Sequence, residues 1–171
     1  MLQGSPARVL VVRKKCPSPS YWACDLALPG GRIVGEETPV ETALREAWEE
    51  AWVPPGLVYP ITYYCCELTR AGKLRVSMVV ARPVSYIEAV PRDEEVDAVL
   101  WLPLDIADQL EGPVEHPVRG SVWGVPVPGG LALWGVTLRL LKALRRIYKL
   151  LGLSNRIEAR IYHRSEELRR G

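Results

Sequence analysis

The chain is poor in the residues from which many sites are built. Two histidines, His116 and His163, occur in 171 residues, and the four cysteines, Cys16, Cys24, Cys65 and Cys66, show no CxxC spacing. A structural zinc site needs four such ligands at short spacings, so none is expected. Long apolar runs are also lacking. The uncharged stretch between Arg119 and Arg139 holds Gly124, Pro126, Pro128, Gly129, Gly130 and Gly135, which is no pattern for a membrane span. Met1 to Pro6 shows no basic region leading into an apolar core, so the expected location is cytoplasmic. Neither sign of charge prevails: 22 Lys and Arg face 20 Asp and Glu, a net charge of +2, and nucleic-acid binding by bulk attraction is not expected. Amides are scarce (Asn155, Gln3, Gln109) and 17 of the 22 basic residues are Arg. This points to a thermophile, although a GC-rich genome also favours Arg over Lys. On the thermophile reading an intracellular Cys16–Cys24 disulfide is conceivable.

What is present is one globular core, since 48% of residues are hydrophobic and 25% charged. Residues 7–13 read as a strand ended by Lys14-Lys15 and the Pro17/Pro19 loop, and 25–28 and 32–34 as short extended pieces around Pro29-Gly30-Gly31. Strands are expected over 58–68, 73–84 and 96–102, the first two joined as a hairpin through the Arg70-Ala-Gly turn. A short helix over 103–110, a Pro/Gly-rich stretch over 112–130 with one edge strand at 121–125, and a long helix over 131–151 complete the domain, 1–152. A charged helix over 155–169 is read as an appended packing or dimerisation element within 153–171, which leaves a homodimer open. Strands and helices intermix, so the class is α+β.

The strongest local signal is a helix start. Thr38 offers an N-cap, Pro39 fits the first helical position, and Glu41 completes a capping box. Apolar Val40, Ala43, Leu44, Ala47 and Ala51 recur at helical spacing until Pro54-Pro55-Gly56. On that helix Glu46, Glu49 and Glu50 are three and four residues apart and share one face. Like charges so placed repel, and Mg²⁺ or Mn²⁺ would relieve them, bringing waters and phosphate oxygens into its shell. A solvated acidic face is the plain alternative. Gly30-Gly31, which lets backbone approach a ligand just before this helix, favours the metal cradle.

The stretch resembles the signature of the Nudix hydrolases, G-x5-E-x7-R-E-U-x-E-E-x-G-U, matched by Gly31, Glu37, Arg45, Glu46, Glu49, Glu50 and Val53. Ala47 is smaller than the usual apolar residue, and Trp52 replaces the last glycine, whose left-handed helix exit Trp adopts only at a cost; a different C-terminal turn is therefore expected. The resemblance implies an α/β/α sandwich with a mixed sheet and hydrolysis of a nucleoside diphosphate linked to another moiety, with Mg²⁺ or Mn²⁺ as cofactor. Glu46, Glu49 and Glu50 would hold metal, with the Gly30 carbonyl a weaker ligand. Glu46 would also act as base toward water, and Glu37 and Arg45 would orient the carboxylates. A further acid near a later strand is expected, with Glu94, Glu95, Asp97, Glu111 and Glu115 as candidates.

Two later segments, Glu94-Glu95-Val96-Asp97 and Trp134-Gly135-Val136-Thr137, and the Thr42-Ala43-Leu44 before Arg45 are similar to the coenzyme A diphosphatase branch. Ser20, Cys24 and Leu28 break that branch's upstream motif, so ADP-ribose and other ADP-linked compounds stay open beside CoA, as does a non-catalytic nucleotide-binding module. For Trp134 to Thr137, helix packing is the competing reading. The basic, leucine-rich helix over 131–151 could lie on a membrane or an acidic partner, or bury its leucines and solvate its arginines.

Overall fold

The computed structural model describes residues 1–69 and 74–152. The expected turn at Arg70 and the charged helix over 155–169 lie outside the described residues. The fold is organised around β2 (Arg8–Lys14), whose Val9, Leu10, Val11 and Val12 are completely buried. A strand with four consecutive apolar residues needs cover on both faces, because alternate side chains point opposite ways. Val9 and Val11 join the larger core cluster with Leu138, Leu141 and Leu144 of α2 (Gly135–Leu150). Leu10 and Val12 join a second cluster with Ala51 of α1 (Pro39–Ala51) and with Val53 and Ile87. Each buried Val or Leu stabilises by about 1.5–3 kcal/mol. This central strand therefore holds the two helices on opposite faces of one sheet, the α/β/α arrangement expected.

Along one edge of β2 runs β6 (Val96–Pro103), antiparallel from Arg8 opposite Pro103 to Lys14 opposite Val96. The other edge is shared by β1 (Leu2–Gln3) and β3 (Leu26–Ala27). A second ladder pairs β4 (Val58–Leu68) with β5 (Arg75–Pro83), and a third joins β7 (Gly112–His116), β8 (Gly120–Val127) and β9 (Leu131–Trp134). All ladders among the described residues are antiparallel.

The region from 112 to 134 departs from expectation. Its three strands replace a loop with one edge strand, and the helix expected from 131 begins only at Gly135. Leu131 to Trp134 is an apolar run too short to separate strand from helix by periodicity. Gly135 at φ 62° turns the chain from one to the other. The short helix expected over 103–110 is a 3-10 turn at Leu104–Asp108. No helix is long and apolar enough to cross a membrane among the described residues. The basic side chains of α2 instead pair within the chain: Arg139 with Glu67 at 3.0 Å, Lys142 with Glu111, and Arg145 with Asp108 at 2.8 Å.

Candidate active site

The acidic helix starts as the sequence dictates. Thr38 Oγ1 accepts the Glu41 N–H at 3.2 Å, and Glu41 Oε2 accepts the Thr38 N–H at 2.8 Å. Its exit corrects the expectation of a different turn. Trp52 itself takes the left-handed conformation, with φ 54° and ψ 38°, where glycine is usual. Such a conformation costs a non-glycine residue roughly 1–2 kcal/mol. Here the ring stacks on Trp48 with centroids 4.6 Å apart, and the Arg92 guanidinium lies 4.3 Å from the Trp52 centroid and 4.4 Å from that of Trp48. Arg92 also brings a positive charge to a helix end that carries none of its own, and its N–H donates to the Glu50 carbonyl at 3.3 Å.

Arg45 organises the carboxylates. Its Nη1 donates to Glu46 Oε1 at 2.7 Å and to Glu49 Oε2 at 2.8 Å, while Nε donates to Glu37 Oε1 at 2.7 Å. Glu37 is further held by the Thr42 hydroxyl at 2.9 Å and the Val34 N–H at 3.2 Å. The Arg45 contact, with these donors, draws the Glu37 carboxyl down to about 2. Glu37, Glu46 and Glu49 together push the Arg45 guanidinium above its ordinary range. Gly31 leaves the Glu46 carboxylate its present position: a β-carbon there would stand 2.6 Å from Glu46 Cδ, and the carboxylate would have to shift.

Glu50 faces inward and is buried. Its Oε2 accepts the Gly30 N–H at 3.1 Å and its Oε1 accepts from Lys14 at the end of β2. Burial raises the Glu50 carboxyl despite these partners, so its ionised form is short of solvation. The sequence marked Lys14 only as the end of a strand; 36 positions separate it from its partner Glu50. Beside it opens a cleft of about 450 Å³, lined in part by Lys14, Lys15, Ser18, Ser20, Glu94 and Glu95.

Of the five later acids, Glu95 alone is drawn toward the box, with its carboxylate 3.7 Å from Lys14 Nζ. Glu94 lines the same cleft. Asp97 is committed to Arg13 at 2.5 Å and to the Cys16 N–H at 3.0 Å. Glu111 is paired with Lys142, and Glu115 lies exposed on β7 opposite Ser121.

The Cys16–Cys24 disulfide is formed, with Cα atoms 4.6 Å apart, and closes the loop that walls the cleft. Behind it lies a buried knot that sequence reasoning did not foresee. Asp25 Oδ1 accepts from Trp134 Nε1 at 3.1 Å and is 3.1 Å from His116 Nε2, while Arg119 Nη2 reaches Asp25 Oδ2 at 3.4 Å. Trp134 thereby ties β9 to Asp25, just before β3, and has a structural task. Of the positions that break the coenzyme A branch motif, Cys24 is used by the disulfide and Leu28 packs against the larger core cluster.

No group of three or more His, Cys, Asp or Glu side chains is gathered as a metal cage among the described residues. The donor set nevertheless suits a hard divalent cation. Glu46 and Glu49 converge on one cationic atom of Arg45, Glu50 is buried beside a cationic Lys14, and Gly31 leaves room for the carboxylate against the loop.

The NUDIX domain family matches residues 2–121. The chain belongs to the Nudix family. The membership carries the expected enzyme class, pyrophosphohydrolase. A Nudix hydrolase from M. smegmatis, RenU, is 21% identical and superposes with a TM-score of 0.61 over 84% of this chain and 76% of its own. The Nudix domain of Shewanella oneidensis NrtR, complexed with ADP ribose, is also 21% identical, with a TM-score of 0.51 over 82% and 77%. At these identities both share the Nudix fold. No curated protein sequence matches the chain.

Proposed function

We propose that this Nudix protein hydrolyses the diphosphate bond of ADP-linked compounds, with Mg²⁺ or Mn²⁺ held by Glu46, Glu49 and Glu50 and the Gly30 carbonyl as a weaker ligand. The observation that carries this reading is the convergence of Glu46 Oε1 and Glu49 Oε2 on Arg45 Nη1, beside the buried Glu50. When bound, the metal neutralises phosphate oxygens and makes a water more acidic. In this reading Glu46, held by Arg45, takes a proton from the attacking water. Arg45 and Glu37 hold the carboxylates in register and do no proton transfer. Lys14 offsets part of the cost of burying the Glu50 carboxylate and presents a positive edge to the cleft, where substrate phosphates would enter.

The substrate reading is broad. Trp134 is hydrogen-bonded to Asp25, and Cys24 and Leu28 serve the fold, which supports a broad substrate range over a CoA-specific one. NrtR, which binds ADP ribose in its complex, places that compound beside CoA as a test substrate. Hydrolysis of CoA, ADP-ribose, NADH and a dinucleoside polyphosphate with Mn²⁺ decides the matter. Cleavage of several ADP-linked compounds to AMP or 3′,5′-ADP is expected. A preference for CoA over ADP-ribose above about a hundredfold, ~2.7 kcal/mol of transition-state discrimination, would refute the broad reading. No cleavage of any would favour a non-catalytic nucleotide-binding module.

A further inference from the structure

We propose that the Cys16–Cys24 disulfide is a redox control on substrate binding. Oxidised, it holds residues 17–20 as a wall of the cleft; reduced by a dithiol, it releases that wall and weakens the grip on an ADP-linked substrate. The control rests on the proposed hydrolase reading, in which substrate phosphates enter this cleft. Cys16 directly follows Lys14 and Lys15, and within the loop that the pair closes, Ser18, Pro19 and Ser20 line the cleft together with both lysines.

The wall bonds chiefly to itself. Ser18 Oγ accepts the Ser20 N–H and Ser20 Oγ the Trp22 N–H, each at 3.2 Å, and the Ser20 carbonyl accepts the Ala23 N–H at 3.1 Å. Pro17 and Pro19 have no N–H to donate. Among the described residues, no hydrogen bond joins 17–20 to the body of the protein. Such a bond begins only at Tyr21, whose carbonyl accepts from Arg119 and whose ring lies 4.6 Å from that guanidinium. The ends of the loop, by contrast, are anchored without the sulfur bond. The Cys16 N–H donates to Asp97 Oδ2 at 3.0 Å, the Cys24 N–H to the Lys15 carbonyl at 3.3 Å, and the Lys14 N–H to the Asp25 carbonyl at 2.9 Å. Asp25 is held in turn by Trp134 and Arg119. The closed loop is short, eight positions from Cys16 to Cys24, and a short loop restrains little of the unfolded chain. The bond therefore acts on the wall more than on the fold. Cys24 also sits at φ 66°, which a residue with a β-carbon rarely adopts, and breaking the bond removes one of the restraints that keep it there.

Cys16 is the part-exposed partner and Cys24 the buried one, so a reductant approaches from the Cys16 side. One thiolate of a dithiol attacks Cys16 Sγ, Cys24 leaves as a thiolate and takes up a proton, and the second sulfur of the dithiol then displaces Cys16. The S–S bond of the protein breaks, an S–H bond forms on each cysteine, and the dithiol is oxidised to its own disulfide. Glu46, Glu49 and Glu50 are carried by α1, outside the loop, so the loss falls on binding and leaves the chemical step in place.

Three samples are compared: the full chain oxidised, the same chain reduced with dithiothreitol and freed of it under argon, and Cys16→Ser/Cys24→Ser. Chymotrypsin, which cuts after aromatic residues, reads the wall directly, because Tyr21 and Trp22 are exposed. Cleavage after them should be at least about fivefold faster in the reduced chain and the double variant than in the oxidised chain. With Mn²⁺ and ADP-ribose, KM should rise at least about fivefold on reduction while kcat changes by less than about twofold. The double variant should show the high KM before and after dithiothreitol, which excludes Cys65 and Cys66 as the responding thiols. Far-UV circular dichroism should be the same for every sample. Equal cleavage rates, an unchanged KM, a response that persists in the double variant, or loss of the folded spectrum on reduction would overturn the proposal. Calorimetric binding of ADP-ribose separates its failure from that of the hydrolase reading. If no sample hydrolyses ADP-ribose, a Kd at least about fivefold weaker after reduction upholds the control and overturns only the hydrolase reading. An unchanged Kd, or no binding, overturns the control.

Discussion

Gly31 and Glu46 are packed so closely that a methyl group on the glycine would stand 2.6 Å from the carboxyl carbon of the glutamate. Backbone and carboxylate are fitted to each other before any ligand arrives. Gly31→Ala requires the Glu46 carboxylate to shift, so kcat/KM for an ADP-linked substrate should fall by at least about tenfold, or ~1.4 kcal/mol of transition-state stabilisation. The far-UV circular dichroism should stay that of the wild type. An unchanged kcat/KM would show that the position of Glu46 is not critical.

Arg92 closes the helix exit from outside the helix. Arg92→Ala should lower stability to denaturant by about 1 kcal/mol, from the lost cation–π contact and the lost charge at the helix C-terminus. Trp52→Gly removes the left-handed strain together with the ring, so Arg92→Ala should cost less in that background. Additive losses would mean that Arg92 and Trp52 act independently.

Glu37 makes stability depend on pH in the acid range. Its folded value of about 2 lies below the ordinary 4.5, so folding favours the ionised form. That contribution is complete above about pH 5 and drains away as the pH falls from 4.5 toward 2. In Glu37→Gln, the drop in Tm between those limits should be smaller than in the wild type. Identical acid-side curves would remove Glu37 from the carboxylate-ordering network.

Much of this was legible in the sequence because it is local. Thr38, Pro39 and Glu41 declare the helix within four residues, and Glu46, Glu49 and Glu50 fall on one face by periodicity alone. Lys14 on Glu50 and Trp134 on Asp25 were hidden because they join residues 36 and 109 positions apart. The exit at Trp52 was misjudged because its compensation comes from Arg92, on another segment. The edge strand expected at 121–125 falls within β8, whereas β7 was obscured by Pro113, which lies on an edge strand of that sheet, where a missing N–H is tolerated.

The central claim is that Glu46 performs chemistry with a metal-holding carboxylate set, and one comparison of rates tests it. Mn²⁺-supported hydrolysis of ADP-ribose should fall by orders of magnitude in Glu46→Gln, which keeps size but removes the charge. Glu36→Gln, at an exposed position beside the box, should retain nearly the wild-type rate. Equal rates for Glu46→Gln and wild type, or equal losses in both variants, would contradict the account.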